Sequence, residues 1–341
     1  LGHVLVAKWK GVTVLRFSLG FGPKLIAVQR GETEYCLSAI PLGGYVKMLG
    51  EDVDEEVSEE DLTRSFGAQS VYKRMAIVLA GPFSNFILAI VIFALVFTMA
   101  GIPYRTSRVG GVVAGSPAEQ AGLKAGDKIL SIGGTEIKTW DDLSETIEKS
   151  GEKALTLQVQ RDDKVLTITM TPRVSEAKNM FGETEKRAMI GVSPAGDEVE
   201  YKTLNPISAL FKGIEYTLHL SWLFLVTIWK MISGIVSVKT LGGPILIAQM
   251  AGQQASAGLV QFFHFMALIS VNLAVINLLP VPIRDGGHIL VFVIEAIKGK
   301  PLSTKKMEYA QKAGLVILLL LMAVVFYNDI SRLITGGKMD F

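Results

Sequence analysis

Residues 75–104, MAIVLAGPFSNFILAIVIFALVFTMAGIPY, limit the fold more than any other stretch. The run carries no charge and is long enough as a helix to cross about 30 Å of hydrocarbon. In lipid such a segment has to satisfy its backbone polar groups internally, so a transmembrane helix is expected there. Composition agrees. Half of the 341 residues are hydrophobic and the mean hydropathy is +0.40, which suits a membrane protein with a soluble part. A net charge of +2 gives no reason to expect a nucleic-acid partner. Cys36 is the only cysteine, which excludes an internal disulfide and a cysteine-based zinc site. The chain opens on Leu1 rather than Met and shows no signal peptide, so a truncated start is expected.

Two further spans are expected. From Thr240 to Ile283 there is no charged residue. Its Gly-, Gln- and Ser-rich first half reads as loop. From about Gly258 a second span begins and runs into INLLPVPIRDGGHILVFVIEAI, so 258–297 reads as a broken transmembrane helix. The last span is 313–330, with Lys312 and Asp329 able to snorkel at its ends. Residues 207–237 have too short an uncharged core to span. Lys212, Glu215, His219, Lys230 and Ser233 recur there at helical spacing, with Trp222 and Trp229 between them. An interfacial amphipathic helix followed by loop is expected over 197–257. Lys73 and Arg74 precede the first full span, and Lys298, Lys300, Lys305, Lys306 and Lys312 precede the last. Both clusters belong on the cytoplasmic side, the second as a basic loop over 298–312. An even number of crossings then separates them, which puts 104–257 on the outer side.

Residues 105–196 are soluble in character. Short β-type runs (KILSIGG, ALTLQVQRDDKVLTITMTP) surround one helix, TWDDLSETIEKSG, which Thr139 or Asp141 can cap and Gly151 can end. The passage SPAEQAGLKAGDKIL closely resembles a bacterial PDZ domain, with AMIGVSP at 188–194 as the closing strand beside its groove. Such domains take an extended peptide onto a sheet edge. Residues 11–50 alternate like strands and are punctuated by Gly20-Phe21-Gly22 and Pro-Leu-Gly-Gly. They are too apolar for a free loop. A β-hairpin that re-enters the membrane is expected within 11–74, followed by an acidic solvated loop at 51–61.

Asp285 is the most informative polar residue. An ionisable group at membrane depth is costly and usually marks function. Arg284 is its neighbour in sequence but points elsewhere on a helix, so a metal is the better partner. Pro280, Pro282, Gly286 and Gly287 break the helix and free backbone to shape a pocket. The amides of Asn272 and Asn277 can hydrogen-bond an extended peptide. A structural reading also stands, in which Asp285 caps a helix that begins at Gly286. Possible ligands are His3, His219, His264 and His288, of which His288 lies three residues after Asp285. Leu1-Gly2-His3 also reads as the end of an H-E-x-x-H zinc motif on an apolar helix over 1–10.

Five pieces occur in order: LGHVLVAKWKGVTVLRFSLGFGPKL, YCLSAIPLGGYVKMLGE, AGPFSNFILAI, the PDZ passage and ISVNLAVINLLPVPIRDGGHIL. Together they resemble the bacterial site-two intramembrane zinc metalloproteases of the regulator-of-sigma-E type, peptidase family M50, over nearly the whole chain. The resemblance implies a multi-pass α-helical membrane protein with four transmembrane helices in the full-length chain. It also implies a membrane-re-entrant β-hairpin and one inserted α+β PDZ domain. It makes His3 and Asp285 ligands of a Zn²⁺ cofactor, the remaining His and the catalytic Glu falling before residue 1. Asn272, Asn277, Gly20, Phe21, Gly22, Pro280 and Pro282 become substrate-binding. The implied activity is intramembrane cleavage of transmembrane segments already trimmed on the outer side, such as anti-sigma factors or remnant signal peptides. The implied partners are those proteins, the lipid membrane, and a peptide or C-terminus in the PDZ groove. The implied location is the bacterial inner membrane, with the PDZ domain periplasmic and the active site near the cytoplasm. An inactive paralogue or a membrane-anchored PDZ scaffold is the alternative. Arg284 departs from the family, which usually has an aliphatic residue there.

Overall fold

The computed structural model describes residues 1–51, 57–196, 199–300 and 304–335. Most of the acidic loop and residues 301–303 of the basic loop lie outside the described residues, as do the side chains of Lys305 and Lys306. In chain order, α1 (Gly2–Trp9), β1 (Val14–Arg30), β2 (Thr33–Met48) and α2 (Val71–Met99) come first. Then follow β3 (Ile102–Arg105), β4 (Val109–Val112), α3 (Pro117–Gln120), β5 (Lys128–Ile132), β6 (Thr135–Glu136) and α4 (Trp140–Ser150). Strands β7 (Leu155–Arg161), β8 (Lys164–Met170), β9 (Arg173–Lys178), β10 (Thr184–Met189), β11 (Val192–Pro194) and β12 (Val199–Lys202) come next. The chain continues with α5 (Pro206–Ile232), α6 (Pro244–Ala257), α7 (Leu259–Leu278), α8 (Asp285–Lys298) and α9 (Thr304–Ile334). It divides into two compact units: Leu1–Phe93, Leu210–Trp229 and Val238–Phe341 in one, Ala94–Ala209 and Lys230–Ser237 in the other.

Three helical stretches among the described residues are long and apolar enough to cross a membrane: Val71–Met99, Leu259–Leu278 and Gln311–Ile334. The first ends earlier than its apolar run. Gly101 turns the chain at φ 85°, and Ile102–Arg105 becomes a strand that pairs with β12. The run expected to stay helical to 104 is thus corrected to Met99, because a glycine in that conformation breaks the helix before the strand can pair. The expected loop before Gly258 is also corrected, for Pro244–Ala257 is helical. Pro244 sits at its first position, and Asp329 of α9 accepts from the Gly243 and Ile245 N–H groups, both at 2.9 Å. A carboxylate at a helix N-terminus satisfies orphan donors and opposes the dipole, so a distant residue stabilises a segment of weak local signal. Helix α5 runs unbroken through the amphipathic segment, with Trp222 and Trp229 both exposed.

Strands β1 and β2 form a bent sheet. Residues 16–19 pair with both 34–37 and 44–47, while 24–30 pair with 33–38. The bend falls at Gly20 and Gly22, whose φ values are 89° and 82°. One core joins this sheet's base to the helices: Val4 and Ala7 of α1, Val14, Met48, Ile77 and Val78 of α2, and Phe292 of α8. Burying these side chains brings α1 and α8 onto the same part of α2.

The second unit is built on the antiparallel sheet β6-β5-β7-β8, with β4 paired to β11 and β9 to β10. Helix α4 begins with a Thr139–Asp142 capping box and ends at Gly151 with φ 60°. Its Leu143 and Ile147 pack with Ile129, Leu157, Val159 and Ile190 in the unit's core. Asp127, 1 % exposed, accepts two hydrogen bonds from Arg161 at 2.7 and 2.8 Å, which fastens the β5 entry to β7.

Candidate metal centre

His3 sits in the first turn of α1, where its ring lies against α2. Its Nδ1 is 3.0 Å from the Ile77 carbonyl. A carbonyl only accepts, so Nδ1 carries a proton, and in the neutral ring Nε2 keeps its lone pair. Nε2 faces Oδ2 of Asp285 at 3.6 Å, both side chains being about three-quarters buried. The approach depends on Gly81, because a Cβ there would overlap the imidazole, Nε2 first. Neither the Ile77 carbonyl nor Gly81 stands out as a site residue in the sequence. The AGPFSN run that holds Gly81 is the only signal of it, and a backbone acceptor leaves none.

Asp285 is the first residue of α8, and Arg284 occupies the capping position without a side-chain cap bond. The capping reading, with the helix beginning at Gly286, is therefore corrected: Asp285 already has helical backbone and its carboxylate is turned to His3. The junction from α7 to α8 is a tight reversal. The Arg284 N–H donates to the Val281 carbonyl at 3.1 Å, which closes a turn with Pro282 second and Ile283 third. Ile283 has φ 83°, which a type II turn asks of its third residue and a β-branched side chain resists. At Gly286 a Cβ would run into the carbonyls of Leu278 and Leu279, so the two helix ends meet backbone to backbone. Pro280 lies in the same junction.

The other candidates fall elsewhere. His288 is not paired with Asp285; its ring lies 6.3 Å from that of Phe292. His264 meets Phe93 edge-on at 5.3 Å, and His219 is exposed on α5. Among the described residues no group of three or more His, Cys, Asp or Glu side chains gathers to hold a metal. Asp285 thus meets His3, on another helix, rather than His288 three residues on. Asn277 and Arg284 come together, the guanidinium Nη1 donating to Oδ1 at 3.1 Å, whereas Asn272 is half-buried earlier on α7. Gly20, Phe21 and Gly22 lie at the bend of β1, where Phe21 stacks on Tyr45 at 5.9 Å.

The donor set suits zinc. A neutral imidazole nitrogen and a carboxylate oxygen, each about 2.0–2.2 Å from a tetrahedral ion, stand roughly 3.4 Å apart. The observed separation is 3.6 Å. With the ring neutral these are two facing acceptors, an arrangement that a cation between them would reconcile, as would a proton on Nε2. The bond from His3 to a backbone carbonyl is the usual outer support of a zinc-binding histidine.

In the second unit a groove of about 180 Å³ runs between α4 and the β10–β11 segment, lined by Trp140, Leu143, Ile147, Met189, Ile190 and Val192.

The family model of Peptidase family M50 matches residues 1–321. A protein of Mesorhizobium japonicum is 36% identical over 97% of this chain and 94% of its own length. One of Campylobacter jejuni is 37% identical over 98% of this chain and 89% of its own. Both bear the name "Putative zinc metalloprotease". A PDZ domain of an SdrC-like protein from Listeria monocytogenes matches 28% of this chain and 92% of its own, at 22% identity and a TM-score of 0.22. The chain belongs to peptidase family M50, a family of zinc-dependent membrane metalloproteases.

Proposed function

We propose that this metalloprotease is an intramembrane endopeptidase whose zinc is held by His3 and Asp285. The observation that carries the reading is the His3–Asp285 pair at 3.6 Å, set where α1, α2 and α8 share one apolar core. Read with His3 as its second histidine, the H-E-x-x-H motif puts the remaining ligand and the glutamate ahead of Leu1. When bound in an open three-ligand site, zinc supplies Lewis-acid activation of water and of the scissile carbonyl.

The motif glutamate and this chain's own residues do the rest. The Ile77 carbonyl holds the His3 ring in the tautomer that offers Nε2. The motif glutamate takes a proton from water and returns it to the leaving amine. Peptide bonds in a membrane helix are hydrogen-bonded and shielded from water, so the substrate has to unwind first. The β1–β2 sheet around Gly20, Phe21 and Gly22 offers an edge to the unwound strand. Asn272 and Asn277, with the backbone shaped by Pro280 and Pro282, hold it extended. The groove beside α4 takes a peptide or C-terminus and favours substrates already trimmed on the outer side. In this reading the full-length chain crosses the inner membrane four times, with the PDZ domain outside and the metal near the cytoplasm. Anti-sigma factors and remnant signal peptides are the substrate types it suits.

The test is cleavage of a model membrane-spanning substrate in lipid vesicles by full-length protein. Asp285→Ala is expected to abolish cleavage. An active Asp285→Ala variant would sink the reading.

A further inference from the structure

We propose that Arg284 fixes the polarity of the Asn277 amide, so that the α7–α8 junction offers only hydrogen-bond donors and grips an unwound substrate by its main-chain carbonyl oxygens. The inference rests on the protease reading above. Arg284 Nη1 donates to Asn277 Oδ1 at 3.1 Å, the only hydrogen bond made by either side chain among the described residues. Guanidinium carries five N–H groups and no acceptor. The amide of Asn277 is therefore not free to turn over: its oxygen has to face Arg284, and its NH₂ has to face away. Without the arginine the same amide could offer either end. With it, Asn277 presents its NH₂ alone, two donors and no acceptor.

A donor-only face selects its ligand by chemistry. When a membrane helix unwinds, carbonyls near the break lose their partners, and an orphaned carbonyl is costly where water is scarce. A donor face compensates carbonyls and cannot serve the freed N–H groups, so those are left to the edge of the β1–β2 sheet. Arg284 acts here as a positioning residue: it does not touch the metal pair but decides which atom of Asn277 meets the substrate. The bland alternative is a tie that merely fastens the turn to α7.

Three variants separate these readings: Asn277→Asp, Asn277→Ala and Arg284→Leu, with the double variant Arg284→Leu/Asn277→Ala. Asn277→Asp keeps and strengthens the bond to Arg284 but removes both donors. A mere tie would then keep parental behaviour. The donor reading expects kcat/KM to fall roughly tenfold or more, because the substrate carbonyl is left facing another acceptor. A similar loss is expected in the affinity of zinc-stripped protein for the uncleaved substrate peptide, with zinc content unchanged in the loaded protein. Arg284→Leu should weaken peptide binding less, and the double variant should match Asn277→Ala alone, since one residue acts through the other. Parental peptide affinity in Asn277→Asp, or additive losses in the double variant, would overturn the inference. If the parent itself neither binds nor cleaves a membrane-spanning peptide, the protease reading fails. If the parent does both and Asn277→Asp equals it, only the role of Arg284 fails.

Discussion

The imidazole of His3 is oriented by contacts that involve no ligand: its Nδ1–H is bound to the Ile77 carbonyl, and Gly81 leaves room for the ring. Gly81→Ala is expected to push the ring off α2 without unfolding the helix. Zinc affinity, measured by competition with a chelator, should fall roughly 10- to 100-fold, as when an outer support of a metal ligand is lost. Asp127 gives a pH-dependent case in the second unit. Burial would raise its carboxyl pKa, but hydrogen bonds from Arg161 and the Lys124 N–H outweigh that and hold it below the ordinary value. A carboxyl lowered by folding contributes stability that is complete above its unfolded pKa, about 3.9, and is lost as pH falls through the lower folded value. Hydrogen-exchange protection of the Ile129 and Val159 amides in the full chain should therefore hold at neutral pH and decline only in acid. Asp127→Asn should lower protection at neutral pH by about 2 kcal/mol.

At the scale of elements, the turn from Val281 to Arg284 stores strain. Ile283 occupies a position that glycine normally fills, with φ 83°. Ile283→Gly is expected to relieve about 1 kcal/mol of strain, read as a small rise in thermal midpoint. An unchanged or lowered midpoint would show that Ile283 is held by its contacts at no cost. The break itself was legible in the two prolines and two glycines, because those residues act locally. Helix α6 was not, since what stabilises its start is Asp329, far along the chain on α9. The end of α2 was missed for a related reason: the apolar run continues past Met99, but strand pairing with β12 outweighs helix propensity there. The pairing of Asp285 with His3 rather than His288 was legible only through the motif, because spacing on one helix cannot reveal a partner on another. Arg74 and Glu295, hydrogen-bonded at 2.5 Å, supply a second such tie, between α2 and α8.

For the whole molecule, charge placement and the three candidate spans make a prediction about sidedness. Cys36 is buried, so single cysteines introduced on the surface report cleanly. Lys164→Cys, in the second unit, is expected to react with a membrane-impermeant maleimide from outside intact cells. Glu59→Cys, between the β1–β2 sheet and α2, is expected to react only after lysis. The reverse pattern would contradict the proposed orientation.

The most direct measurement is the zinc content of purified full-length protein beside its His3→Ala and Asp285→Ala variants. The parent is expected to hold about one zinc ion per chain. Each variant should lose most of that metal while keeping its helical content. Parental zinc in either variant would contradict the His3–Asp285 centre.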